Sequence, residues 1–175
     1  NWDKCIGCGR CLRSCPFGAI AKRSGLIPVG KMLYKGEKVV GMIAPAIEGQ
    51  FDGSLEQIKK AMKAVGFTEV VEVAEGAKIT AEREAKELME KKEKGEGYLA
   101  TSCCPAWFSL VDKHIPAIRD HISTTLSPMG YTAQLCKERF PGYKVVFIGP
   151  CVAKRYEAAT KYPELIDRVL SYGEL

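Results

Sequence analysis

Apolar positions along the chain fall into two kinds of run. Lys38-Val39-Val40-Gly41-Met42-Ile43-Ala44, Glu69-Val70-Val71-Glu72-Val73-Ala74 and Lys144-Val145-Val146-Phe147-Ile148 are short, β-branched and nearly continuous. They predict buried strands, and Arg168-Val169-Leu170-Ser171 predicts one more. The second kind recurs at helical spacing. Leu55, Ile58, Ala61, Met62 and Val65 follow the capping box Ser54-Leu55-Glu56-Gln57 and stop at Gly66. Thr80 to Lys94 predicts a charged helix closed by Gly95 and Gly97, with Ala81, Ala85, Leu88 and Met89 on its apolar face. At about 100° per residue, Glu84 then flanks that face and Glu87 lies on the far side, in reach of Lys91. Pro105 opens another helix, and Ser127-Pro128 opens one that runs to Phe140. Residues 19–37 are punctuated by Gly25, Pro28, Gly30 and Gly36 and read as a connector, with a short helix in Val29–Tyr34.

Strand and helix alternate, which predicts an α/β domain with a largely parallel sheet and flanking helices. In such sheets ligands sit at the carboxyl ends of strands. Pro45 follows one predicted strand. Tyr98-Leu99-Ala100 reads as a strand delivering Thr101-Ser102-Cys103-Cys104-Pro105-Ala106-Trp107 to a helix start. Lys144–Ile148 delivers Gly149-Pro150-Cys151 to a second, Val152-Ala153-Lys154-Arg155-Tyr156-Glu157. Two strand ends that each hand a cysteine to a helix predict one shared metal site.

The amino terminus carries its own chemistry. Cys5, Cys8, Cys11 and Cys15, followed by Pro16, form the run C-x2-C-x2-C-x3-C-P of bacterial ferredoxins. Thiolates are soft anionic ligands that suit iron, and Gly7 and Gly9 permit the tight loop. A zinc knuckle wants two separated C-x2-C pairs or histidines instead. In two-cluster ferredoxins the fourth cysteine serves the other cluster. Either an upstream run completes the set or Cys15 closes a single [4Fe-4S] cluster, and an upstream run is expected. The chain therefore divides into a ferredoxin-like segment at 1–24, a connector at 25–37 and the α/β portion at 38–175.

Composition narrows the classes. The chain has 175 residues, 46% of them hydrophobic, enough for one α/β domain and a small satellite. Net charge is +5, but bases and acids are interleaved, so no nucleic-acid surface is expected. No run approaches the roughly 18 apolar residues of a membrane span. The eight cysteines are too sparse for a disulfide scaffold and too tightly spaced at the amino terminus for one, which predicts metal ligation in a reducing cytoplasm.

The Thr101–Trp107 and Gly149–Glu157 motifs, behind a ferredoxin run, resemble the catalytic domain of [FeFe]-hydrogenases. Ile43-Ala44-Pro45-Ala46 and Ser127-Pro128 match further family positions. The resemblance runs from about Cys5 to Leu175, and the family's third cysteine motif would lie beyond Leu175, in the remainder of the same domain. It implies an H-cluster, a [4Fe-4S] cubane bridged to a di-iron unit with CO, cyanide and azadithiolate. By that resemblance Cys104 and Cys151 match cubane ligands, and Cys103 matches a free thiol passing protons. Lys154, Ala44, Pro45 and Pro150 match positions around the di-iron pocket. Glu84, Ser123 and Glu87 match a proton wire to solvent, with Glu157 on a neighbouring route. The implied reaction is reversible proton reduction to hydrogen, with electrons from a ferredoxin or another electron-transfer subunit.

Three positions depart from the family pattern. Gly149 stands for methionine, Met129-Gly130 for glutamine, and Ala106 for a common glycine. They point to a slow or regulatory subgroup. Two other readings stay open: a hydrogen- or redox-sensing module, and an iron–sulfur assembly protein holding ordinary cubanes. Cys136 reads as a buried hydrophobe. His114 and His121 read as helix-end surface residues, and Trp107 and Phe108 as core.

Overall fold

The computed structural model describes residues 1–175. Four strands, β1 (Val39–Ile43), β2 (Glu69–Glu72), β3 (Lys144–Ile148) and β4 (Arg168–Leu170), form one parallel sheet in the order β2-β1-β3-β4. The helices are α1 (Arg10–Ser14), α2 (Leu26–Tyr34), α3 (Leu55–Val65), α4 (Ala74–Glu93), α5 (Pro105–His114), α6 (Pro128–Arg139) and α7 (Ala153–Lys161). β1 is buried along its whole length and β3 along nearly all of it, because helices cover both faces. This is the predicted α/β class.

Alternate strand residues face opposite layers. Val40, Met42, Val145, Phe147 and Val169 meet Met129, Ala133 and Cys136 of α6 and Ala158 of α7. Val39, Ile43, Val146, Ile148 and Leu170 meet Val29 of α2 and Ile58 and Met62 of α3. Each such aliphatic side chain contributes about 1.5–3 kcal/mol when removed from water. Cys136 lies in the first layer with no exposed surface, and burial pushes its thiol up to about 12, as befits a small hydrophobe.

The connection from β1 to β2 lays α3 on one face, and that from β3 to β4 lays α7 on the other. The winding therefore reverses between β1 and β3, and the carboxyl ends of those two strands flank the place where parallel sheets form their ligand crevice. Ala44–Pro45 leave β1 there, and Gly149–Cys151 leave β3.

Several elements differ from expectation. Tyr98–Ala100 is no strand of the sheet: Ala100 makes one isolated bridge with Ile122. The run is too short to build a ladder, so the Cys103–Cys104 pair arrives on a loop and Cys104 caps α5. The helix expected from Thr80 begins at Ala74, because β2 ends at Glu72 and the chain turns directly into α4. Its apolar stripe does not face inward. Ala81, Ala85 and Met89 are exposed, and the buried positions are Gly76 and Thr80. Close approach to α6 dictates this: a Cβ at Gly76 would collide with the Pro128 carbonyl and with Thr132. Within the connector, the helix is longer than expected and buries Val29.

Candidate functional site

Three candidate residues meet beside the carboxyl ends of β1 and β3. Lys154 stands in the first turn of α7, and its Nζ donates to the Cys103 carbonyl at 2.9 Å. The same ammonium donates to Oε2 of Glu157, one turn on, at 2.6 Å. Glu157 is 2% exposed, so its charge depends on that cation for compensation. The pair ties α7, which follows Cys151, to the loop that carries Cys103 and Cys104. Cys103 and Cys104 are exposed and Cys151 is half-buried, all as free thiols. No group of three or more Cys, His, Asp or Glu side chains gathers around one ion-sized position.

The wall beside β1 is held from a distance. Tyr172 donates its hydroxyl to the Ala44 carbonyl at 3.0 Å, and burial pushes that phenol up to about 12. Ala44 N–H also donates to the Ile148 carbonyl at 2.9 Å, which fixes the two strand ends together. Pro45 starts a short 3₁₀ turn to Ile47 and is exposed, as is Pro150.

Glu84 and Glu87 both turn toward the loops under Cys103. Glu84 Oε1 accepts from the Ser102 N–H at 3.3 Å. Glu87 accepts from the Ser123 hydroxyl at 2.6 Å and from the Thr124 N–H at 3.1 Å. The expectation that Glu87 lies on the far side, in reach of Lys91, is thereby corrected. Lys91 pairs with Glu96 at 2.5 Å instead. No hydrogen bond joins Glu84 to Cys103 or to Ser123. A partly buried chain bridges that gap: Ser102 Oγ donates to the Thr125 carbonyl at 2.7 Å, and Thr125 N–H donates to Ser123 Oγ at 3.1 Å. Ser102 and Thr125 carry no sequence signal for this, because the loop that unites them closes over long range.

The departures from the family pattern have local causes. Met129 is 1% exposed and packs in the core, and a Cβ at Gly130 would lie 2.6 Å from the Tyr162 ring. Neither position supplies a polar contact to the crevice. His121 is half-buried rather than a surface residue. It stacks on Tyr98 with ring centroids 4.3 Å apart, and its Nδ1 is enclosed without a partner. Trp107 and Phe108 are half-buried rather than core, with Lys161 Nζ 3.5 Å over the Phe108 ring.

At the amino terminus, Gly7 and Gly9 take φ of 70° and 76°, left-handed values that suit glycine. Backbone N–H groups of Ala19 and Phe17 turn onto the Cys15 sulfur and hold its thiol below the usual range. Four thiols on one short loop, with the Gly7 N–H donating to Cys5 Sγ at 3.4 Å, fit an iron–sulfur cluster by kind and spacing, but they do not converge on one position in this structure. At the ends of β1 and β3, the thiols of Cys104 and Cys151 and a lysine with one N–H unused fit part of a larger cluster site.

Residues 1–21 match the model of the 4Fe-4S binding domain, and residues 37–175 match that of the iron only hydrogenase large subunit, C-terminal domain. The NADP-reducing hydrogenase subunit HndD of Solidesulfovibrio fructosivorans is 28% identical over 89% of this chain and 31% of its own length. The periplasmic [Fe] hydrogenase large subunit of Nitratidesulfovibrio vulgaris is 32% identical over 98% of this chain and 55% of its own length. The cytosolic Fe-S cluster assembly factor NAR1 of Candida dubliniensis is 27% identical over 93% of this chain and 31% of its own length. The chain thus spans from just under a third to about half the length of these relatives. It belongs to the family of the iron only hydrogenase large subunit, C-terminal domain.

Proposed function

We propose that this chain is the amino-terminal part of a hydrogen-activating catalytic domain, fed with electrons through a [4Fe-4S] cluster on Cys5, Cys8, Cys11 and Cys15. Cys104 and Cys151 are assigned to the active-site cubane, with further ligands from the remainder of the same domain. The bound H-cluster would supply the redox chemistry that interconverts protons and hydrogen. The remaining chain residues are assigned the following parts. Cys103, an exposed thiol beside the ligand Cys104, holds and passes a proton without binding iron. Lys154 offers a fixed ammonium to the anionic cyanide ligands. Ala44, Pro45 and Pro150 line the crevice. Glu84, Ser123 and Glu87 are assigned to the proton route outward, and Glu157 to a route beneath Lys154. A ferredoxin or another electron-transfer subunit is the electron partner, and a reducing cytoplasm suits the free thiols.

The observation that carries this reading is the Lys154–Glu157 pair, its carboxylate buried, held against the Cys103 loop. An ordinary cubane needs no such cation at its rim. The test is infrared spectroscopy on the whole protein, matured with its di-iron unit, together with a hydrogen-evolution assay. Bands of CO and cyanide with turnover are the expected result.

The match to a NAR1 assembly factor favours a second reading, an iron–sulfur assembly protein with cubanes alone. The closed Gly149 and Gly130 positions favour it too, since they withhold side chains from the crevice. Absence of the infrared bands after maturation, with iron and sulfide retained, would select it. A sensing role would show the bands with little turnover.

A further inference from the structure

The segment that carries the four amino-terminal cysteines has no core of its own. α1 buries no residue, and Trp2 and Phe17 are 85% and 91% exposed. Its position on the α/β body must therefore come from specific ties: Lys22 and Ser24 on Glu174 hold its far end, and others hold the cysteine loop. Two of them come from the last turn of α5. Lys113 Nζ donates to the Trp2 carbonyl and to the Cys5 carbonyl, both at 2.7 Å. His114 Nε2 lies 2.9 Å from the Lys4 carbonyl. A third tie is steric. Gly9 lies so close to Val152 that a Cβ there would stand 2.5 Å from Cγ2 of that side chain, next to Cys151.

The helix that makes these ties also starts at Cys104, its N-cap. α5 has ten residues, hence a length of about 15 Å. It is a rigid strut with a proposed cubane ligand at one end and a grip on the ferredoxin loop at the other. We propose that Lys113, with His114 beside it, is a positioning residue that seats the amino-terminal cluster against the body and raises its reduction potential. This rests on the assignment of Cys5, Cys8, Cys11 and Cys15 to a cluster. Reduction adds negative charge to a cluster, and nearby positive charge favours that state; cluster potentials respond to net charge, hydrogen bonding and exposure. Lys113 fixes its ammonium at the carbonyl of the first cysteine.

The test uses the whole protein with its iron–sulfur clusters reconstituted. Lys113→Gln, Lys113→Arg and His114→Gln are compared with wild type by EPR-monitored redox titration and by limited proteolysis. The amino-terminal signal is identified as the one lost in Cys8→Ser. Lys113→Gln is expected to lower its midpoint potential and to speed cleavage within residues 1–25 several-fold. Lys113→Arg is expected to stay near wild type, and His114→Gln to speed cleavage less than Lys113→Gln. Melting of the α/β body should not move, because Lys113 is exposed. Wild-type potential and cleavage in Lys113→Gln would overturn the proposal while leaving the hydrogenase reading untouched. If no signal depends on Cys8, the cluster assignment itself falls, and this proposal with it. Neither readout needs hydrogen turnover, so failure of that activity alone does not bear on Lys113.

Discussion

The ring of Phe147 fills the space that a side chain at Gly149 would need. A Cβ at Gly149 would stand 2.7 Å from Cε1 and Cζ of that ring and 3.3 Å from the Ala44 Cβ. Phe147 is 3% exposed, so the ring has no cheap way out. Gly149→Met is expected to cost about 1–3 kcal/mol through overpacking. Phe147→Ala alone should cost about 3–5 kcal/mol through its cavity. The double variant should lose less than the sum, with a coupling of about 0.5–3 kcal/mol. Denaturant unfolding of all four proteins measures it, and strict additivity would mean that the two positions do not share space.

Glu174 knots the junction of the ferredoxin-like segment and the connector to the end of β4. Its carboxylate accepts from Ser24 Oγ at 2.7 Å, from Gly25 N–H at 3.2 Å and from Ser171 N–H at 2.8 Å, and it pairs with Arg155. Burial works to raise its pKa, but the hydrogen bonds from Ser171 and Ser24, with the charge of Arg155, hold it well below the usual carboxylate range. A depressed folded pKa contributes stability that is present above the ordinary glutamate value of about 4.3 and is lost as pH falls through the folded one. Glu174→Gln should therefore cost about 1–3 kcal/mol near neutral pH. The gap to wild type should narrow as pH drops below about 4. Urea titrations across that range decide it, and a gap that stays constant would be the contrary outcome.

Removing one member of the Lys154–Glu157 pair strands the other. Glu157→Ala is expected to destabilise by about 3–5 kcal/mol, because a largely buried ammonium loses its partner. Replacing both, as Lys154→Met with Glu157→Leu, should be milder than Glu157→Ala alone. Thermal melts of protein free of clusters keep this separate from cofactor loading. A double variant worse than the single one would show that the pair contributes net stability.

The two adjacent cysteines are assigned different tasks, and substitution separates them. Cys103→Ala should keep iron and sulfide content and lose nearly all hydrogen turnover. Cys104→Ala and Cys151→Ala should each lose crevice iron. Iron analysis beside the activity assay distinguishes these outcomes. Loss of iron in Cys103→Ala would make Cys103 a ligand.

The amino-acid sequence by itself determined the α/β class, the strands at Val39–Ile43 and Lys144–Ile148, and the capped helix after Ser54. Local signals suffice for these: β-branched runs, a capping box and proline at a helix start depend on near neighbours in the chain. It also determined the cysteine spacing that names the metal chemistry. Tertiary structure decided the rest. The face of α4 could not be read from its apolar residues, because contact with α6 at Gly76 set its rotation and turned Glu84 and Glu87 toward Ser102 and Ser123. The crevice between β1 and β3 follows from the order in which the sheet is wound, which no local pattern encodes. Tyr172 on Ala44, Lys113 on Cys5 and Glu174 on Ser24 each join residues more than a hundred positions apart. Such pairs carry no periodicity, so only the folded chain brings them together.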